Sequence, residues 1–183
     1  MGGSSESEIP PEGRFVLHRF NGDEVYRFHS AVMFVVDEPD SGTACGPTLW
    51  FEVAGDHDAV QRCEDTASSG MAPYAEVGVE LPAAGVEAVA EADRLVGRTF
   101  LMPGAMDGED SAMSLFYYYD NEPLWDSRIT VLSRAGDRFR LRWTAVCEDV
   151  NFYDGSTPAT EVEIEGEFRF KVLEQWAASP RPT

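Results

Sequence analysis

The segment Thr160–Phe170, TEVEIEGEFRF, alternates without a break. Glu161, Glu163, Glu165 and Glu167 fall on one side of an extended chain; Val162, Ile164, Gly166, Phe168 and Phe170 fall on the other. A period of two is the repeat of a β-strand with one wet and one buried face. The row of glutamates needs a complement, and RFRLRWTAVC (138–147) supplies it with Arg138, Arg140 and Arg142 alternating with Phe139, Leu141 and Trp143. Laid antiparallel, the two strands form a solvent-side Arg–Glu ladder over a shared apolar face. Each exposed pair contributes only about 0.2–1 kcal/mol, but the row helps to fix register. A tight turn at Asp154-Gly155 would set Arg140 against Arg169 and Arg138 against Lys171. Matching Arg to Glu instead opens a loop of roughly Glu148 to Ala159.

The same alternation recurs along the chain. RFVLHRF-NG-DEVYRFH reads as a hairpin about Asn21-Gly22, since a type I′ turn needs positive φ at both central residues. That turn sets Phe15 opposite Phe28, Leu17 opposite Tyr26, and Arg19 opposite Glu24 as an ion pair at the rim. The second strand runs on, with Tyr26, Phe28, Ser30, Val32, Phe34 and Val36 alternating along one face and a bend near Ser30. Further strands are TLWFEV, YAEVGVEL, GRTFLMP, AMSLFYYY and LWDSRITVL, with NEP breaking the fourth of these from the fifth. A three-residue loop, Arg134, Ala135 and Gly136, places Val131 opposite Phe139, Ile129 opposite Leu141 and Ser127 opposite Trp143, with Gly136 left-handed. Residues 55–72 read as a polar connection with one helical turn near Ala59 to Cys63. The plausible helix is AAGVEAVAEADRLV, whose stripe of Ala84, Ala88, Ala92 and Leu95 is thin. The expectation is an all-β, mainly antiparallel fold: a two-sheet β-sandwich of about 9–10 strands with at most one or two short helices, or alternatively a flattened β-barrel.

A chain of 183 residues fits one domain, residues 14–175, between a disordered N-terminal arm (1–13) and a disordered tail (176–183). No apolar run approaches the ~18 residues of a membrane helix, and the N-terminus lacks signal-peptide features. A cytoplasmic protein is expected. Cys45, Cys63 and Cys147 are odd in number and widely spaced, which argues against a disulfide framework or a structural zinc site. Cys147 belongs to an inward strand face. The formal net charge of −19, from 33 acids and 14 bases, disfavours direct contact with nucleic acid or anionic membranes.

Candidate sites are few. CEDVNFYDGS offers Asp149, Asn151 and Asp154 as hard oxygen donors for Ca²⁺. Their spacing departs from the EF-hand loop, and Asp-Gly and Ser-Thr-Pro are turn vocabulary, so a turn is the preferred reading and no cofactor is assigned. His57, flanked by Asp56 and Asp58, is the one histidine placed for acid–base chemistry; no nucleophile motif accompanies it. Tyr117, Tyr119 and Trp125 could stack on a flat ligand, while alternation sends Phe116 and Tyr118 to the opposite face. Together these features favour a non-enzymatic acidic module that engages a basic protein, as an immunity protein or inhibitor does. The alternatives are a Ca²⁺-binding sandwich and a hydrolase centred on His57. The sequence assigns no oligomeric state.

Overall fold

The computed structural model describes residues 11–36, 48–62, 72–81, 92–104, 106–107, 111–112, 114–118, 121–148 and 155–172. Twelve strands follow one another: β1 Gly13–Arg19, β2 Gly22–Val36, β3 Thr48–Arg62, β4 Tyr74–Glu80, β5 Thr99–Met102, β6 Met106–Asp107, β7 Ser111–Ala112, β8 Ser114–Tyr117, β9 Asn121–Pro123, β10 Trp125–Ala135, β11 Arg138–Cys147 and β12 Thr160–Val172. Ten of them form one sheet in the order β5-β10-β11-β12-β1-β2-β3-β4-β8-β9, and β6 and β7 pair separately. Every neighbour in that order is antiparallel; one additional pairing, β12 with β2, is parallel. Among the described residues there is no α-helix. Of the anticipated helix, Ala92–Leu95 is described and forms a 3₁₀ turn.

The all-β antiparallel expectation holds; the two-sheet sandwich does not. A single sheet curls on itself as a half-barrel, close to the flattened-barrel alternative. Strands distant in the sheet order meet across its interior: Phe15 lies 6.2 Å from Phe116, and Phe51 lies 5.9 Å from Phe100, between ring centroids. The physical reason is strand length and bulging. β2 and β3 are each 15 residues long, and their ladder is broken by register shifts between Tyr26 and Ser30, where the sheet bends as anticipated. Twist accumulated over such strands brings the apolar face round to cover itself. Phe15, Phe28, Phe51, Phe116, Phe139, Phe168 and Trp143 fill the space inside.

The Arg–Glu ladder is present, with Arg140 opposite Glu167 and Arg142 opposite Glu165, and β11 and β12 end and begin at Cys147 and Thr160 as that match requires. Both tight hairpins, in contrast, depart from the expected register: the first by two residues, the second by three at its turn, where Gly136-Asp137 makes a two-residue loop in place of the expected three, and by two beyond its bulge. In the first, Phe15 faces Tyr26 and Arg19 faces Gly22, so Phe20-Asn21 is the loop and Gly22 takes φ 127°. Phe28 decides this: its ring lies over Gly13 and Gly166, where a Cβ would stand 2.2–2.4 Å from it. In the second, Ala135 faces Arg138, and a bulge between Val131 and Ser133 leads to Val131 opposite Leu141. The guanidinium of Arg134 covers the Phe139 ring at 5.2 Å, which makes the Arg–Phe juxtaposition favourable. Gly136 is left-handed, φ 65°. Two further corrections concern extent. β3 continues through Gly55 to Arg62, because the first half of β2 offers it a partner ladder (Tyr26 with Val60). Asn121–Pro123 is a strand paired with β8 rather than a break.

Candidate functional site: a forked groove on a polarised stripe

β1 begins at Gly13, while its neighbours β2 and β12 run past it. β1 is paired to β12 from Gly13–Gly166 and to β2 from Arg14–Arg27; β2 and β12 meet each other only from Val32–Arg169. The backbone in between is forked. Glu12 partly fills the fork, its C=O accepting the Glu167 N–H at 2.8 Å. What remains is a groove of about 390 Å³, within the range of small-molecule sites. Its floor is apolar, formed by Phe28, Ala31 and Phe168 with Pro11 and Val32 beside them. Its polar wall carries Arg138, Arg169, Lys171 and His29, against Asp56 and Glu167.

This concentration of cations follows from the ladder's offset. Along the outer face β12 reads Glu161, Glu163, Glu165, Glu167, then Arg169 and Lys171. The arginines of β11 neutralise the middle of that row. Arg138 bridges Glu167 at 3.0 Å and Arg140 bridges Glu165 at 2.8 Å; the hydrogen bond from Arg140 holds the Glu165 carboxyl below the usual carboxylate range. At the groove end Arg138 stands directly opposite Arg169, and Arg169 turns to Asp137 at 3.0 Å. At the other end Glu161 and Glu163 face Val146 and Thr144. There they share a hollow of about 190 Å³ with Asp126 and His18, and His18 lies 2.9 Å from Asp23 and 3.7 Å from Glu163. Glu163 is also bridged by Arg14 at 3.2 Å and approached by Arg142 at 3.9 Å, so β12 itself carries its cations, Arg169 and Lys171, at the fork and its acids toward the hairpin.

Beside the fork, Glu52 faces Glu76 directly across the β3–β4 ladder, and the Tyr74 hydroxyl donates to Glu76 at 2.8 Å. Burial and then the charge of Glu76 push the Glu52 carboxyl up, partly offset by the Tyr74 hydrogen bond and by Lys171. Burial and the hydrogen bond to Glu76 likewise raise the Tyr74 phenol.

A second polar cluster lies inside the barrel. Arg19 and Glu24 pair at 3.0 Å with side chains fully buried, instead of forming the expected rim pair. The Tyr26 and Tyr118 hydroxyls both donate to the same Glu24 oxygen, at 2.5 and 2.6 Å, and stand 3.2 Å apart. Burial, then the bond to Glu24, drives the Tyr26 phenol far above its ordinary range. The available signal was parity: Arg19 and Glu24 share the face of Leu17 and Tyr26. This cluster is enclosed among packed rings, so it braces the barrel.

The residues singled out from sequence are scattered. His57 is exposed on β3 with Nδ1 3.6 Å from Asp58, and the Asp56 carboxylate accepts the Asp58 N–H. Asp56 alone of the three lines the groove. Asp149, Asn151, Asp154 and Tyr119 lie outside the described residues, as do Cys45 and Cys63. Phe116 and Tyr118 are core, Tyr117 is half-buried and Trp125 is exposed. Cys147 is buried, as its strand face required. Among the described residues no three His, Cys, Asp or Glu side chains gather as a metal site, and no helix is long and apolar enough to cross a membrane. No family model, no curated protein and no solved structure matches the chain. The groove was missed because its residues come from four strands and its cations look, in sequence, like parts of two separate charged rows.

Proposed function

We propose that the protein is a non-catalytic binding module that takes a small amphipathic anion in the forked groove. The observation that carries this is the meeting of Arg138, Arg169 and Lys171 over the Phe28 and Phe168 floor, in a chain of net charge −19. A carboxylate or sulfonate head would meet guanidinium and ammonium donors, the strongest class of protein hydrogen bond, while its apolar body covered the rings. The test uses 1-anilinonaphthalene-8-sulfonate, which stays anionic across the working pH range, and its neutral analogue N-phenyl-1-naphthylamine. Saturable fluorescence enhancement is expected with the sulfonate, weakened about tenfold or more in Arg169→Ala/Lys171→Ala, the loss set by two charge-assisted contacts. Equal binding of the neutral analogue, or an undiminished affinity in the double variant, would sink the reading.

A second reading, an acidic surface for a basic protein, draws on the hairpin end of the stripe, where Glu161, Glu163 and Asp126 line one hollow. It also draws on where the acids lie. The described residues hold 18 acids and 13 bases, whereas the rest of the chain holds 15 acids and one base, Arg181.

A further inference from the structure

Five large apolar side chains are exposed among the described residues, and four of them belong to one edge: Val96, Leu101, Trp125 and Leu132. Leu101, more than half exposed, lies on β5, the terminal strand of the sheet, which is hydrogen-bonded among the described residues only to β10. The β5–β10 ladder extends past the strand, with Gly97 N–H donating to Val131 O at 2.8 Å and Val131 N–H to Arg98 O at 2.9 Å. That extension sets Val96 near Leu132 at one end, Leu101 in the middle opposite Arg128, and Trp125 toward the other end. Outward apolar residues beside an open strand edge are a liability in a protein that keeps no company there.

Two cations flank Leu101, and two exposed acids, Asp93 and Asp126, stand at the ends of the edge, the Asp126 N–H donating to Pro103 O at 3.2 Å. Arg128 is exposed directly opposite Leu101. Arg98 is exposed over the Phe100 ring at 5.3 Å. Of the two acids, Asp93 is taken up by Arg134 at 2.7 Å. Trp and Arg on one edge are residue types enriched in interface hot spots. An open edge strand with alternating outward side chains accepts an extended segment as an additional strand. A segment lying along β5 meets Arg98 and Arg128 on either side of Leu101, so an occupant that brings acids is the complementary one.

We infer that β5 is a docking edge for an acidic, strand-forming segment of a partner protein, held by backbone pairing to Thr99–Met102, by Leu101 and Leu132, and by Arg98 and Arg128. This edge is separate from the groove and does not depend on it.

The experiment titrates ¹⁵N-labelled protein with a capped eight-residue peptide alternating Glu and Val, and with its Lys/Val counterpart. The acidic peptide is expected to bind at least tenfold more tightly and to shift the Thr99–Met102 amides. Its binding should weaken with added salt, because the contacts are exposed. Arg98→Glu/Arg128→Glu should reverse the preference toward the basic peptide; both positions are exposed, and an unchanged thermal melt verifies the fold. Equal affinity for the two peptides overturns the proposal, as do shifts confined to the groove or to the Glu161–Asp126 hollow. So does a free protein that sediments as a dimer, or that already protects the β5 amides from exchange, since either would mean that the edge is occupied by this chain itself.

Discussion

Glu52 is the residue whose surroundings work against its charge. It is half-buried, directly faces Glu76, and receives only a hydrogen bond from Tyr74 and the field of Lys171 in return. Its carboxyl is raised in the folded protein, so over the range between its unfolded and folded pKa values the native state binds more protons than the unfolded one. Stability from this group is therefore full at low pH and is lost as pH rises through the raised value. Glu52→Gln removes the like-charge pair while keeping shape. It should stabilise the protein at pH 7 by roughly 0.2–1 kcal/mol, the scale of a cross-strand pair, and that gain should fade on acidification. Thermal melts of both proteins from pH 4 to 8 check this; a gain that persists unchanged at pH 4 would contradict it. Glu165 has the opposite sign. Its lowered carboxyl contributes stability above the ordinary Glu range that is lost as pH falls.

At the scale of the element, the two hairpins explain what was legible. Alternation identified the inward residues of β1, β10 and β11 and of β2 as far as Phe28, because a slip of two residues leaves every side chain on its own face. It could not identify their partners, for the same reason. Past the register shift in β2 it failed, and Ala31 and Met33 face the core in place of Val32 and Phe34. The partners were chosen by contacts that no local pattern carries: Phe28 settling over Gly13 and Gly166 from another strand, and Arg134 covering Phe139. Gly166 shows the cost of ignoring such a contact. A Cβ there would stand 2.4 Å from the Phe28 ring and 2.5 Å from the Gly13 backbone, and backbone does not step aside. Gly166→Ala should cost about 1–3 kcal/mol in urea unfolding, the usual scale of overpacking. Combining it with Phe28→Leu should recover part of that loss. Charge rows behaved differently from turns: the Arg and Glu rows of β11 and β12 carry their register in the sequence itself, so the loop length between them was readable.

For the whole molecule, closure was the hidden quantity. Alternation states that a sheet has one dry face, but not whether a second sheet or the same sheet covers it. The answer lies in long-range pairs such as Tyr26 with Tyr118, and in the Glu24 carboxylate that ties the first hairpin to β8 from inside. The groove was unreadable for the same reason, since it exists only where β1 starts late relative to two strands far from it in sequence. Arg19→Met tests the brace. It leaves the Glu24 charge buried with its two tyrosine donors, and removing one partner of a buried pair costs about 3–5 kcal/mol. A loss at the lower end of that range is expected, since the phenols remain. Arg19→Met/Glu24→Leu should recover much of it in chemical denaturation; no recovery would mean that the pair is needed for packing rather than for charge balance. The late start of β1 has a mechanical consequence as well. Gly13 and the far end of β12 point out of the same end of the barrel, with Gly13 beside Gly166. A force drawing these two ends apart therefore pulls across the β1–β12 rungs rather than along the strands. It meets them one at a time, beginning at the fork, so the first strand would peel away like a zip while the β2–β3 and β10–β11 ladders carried no load.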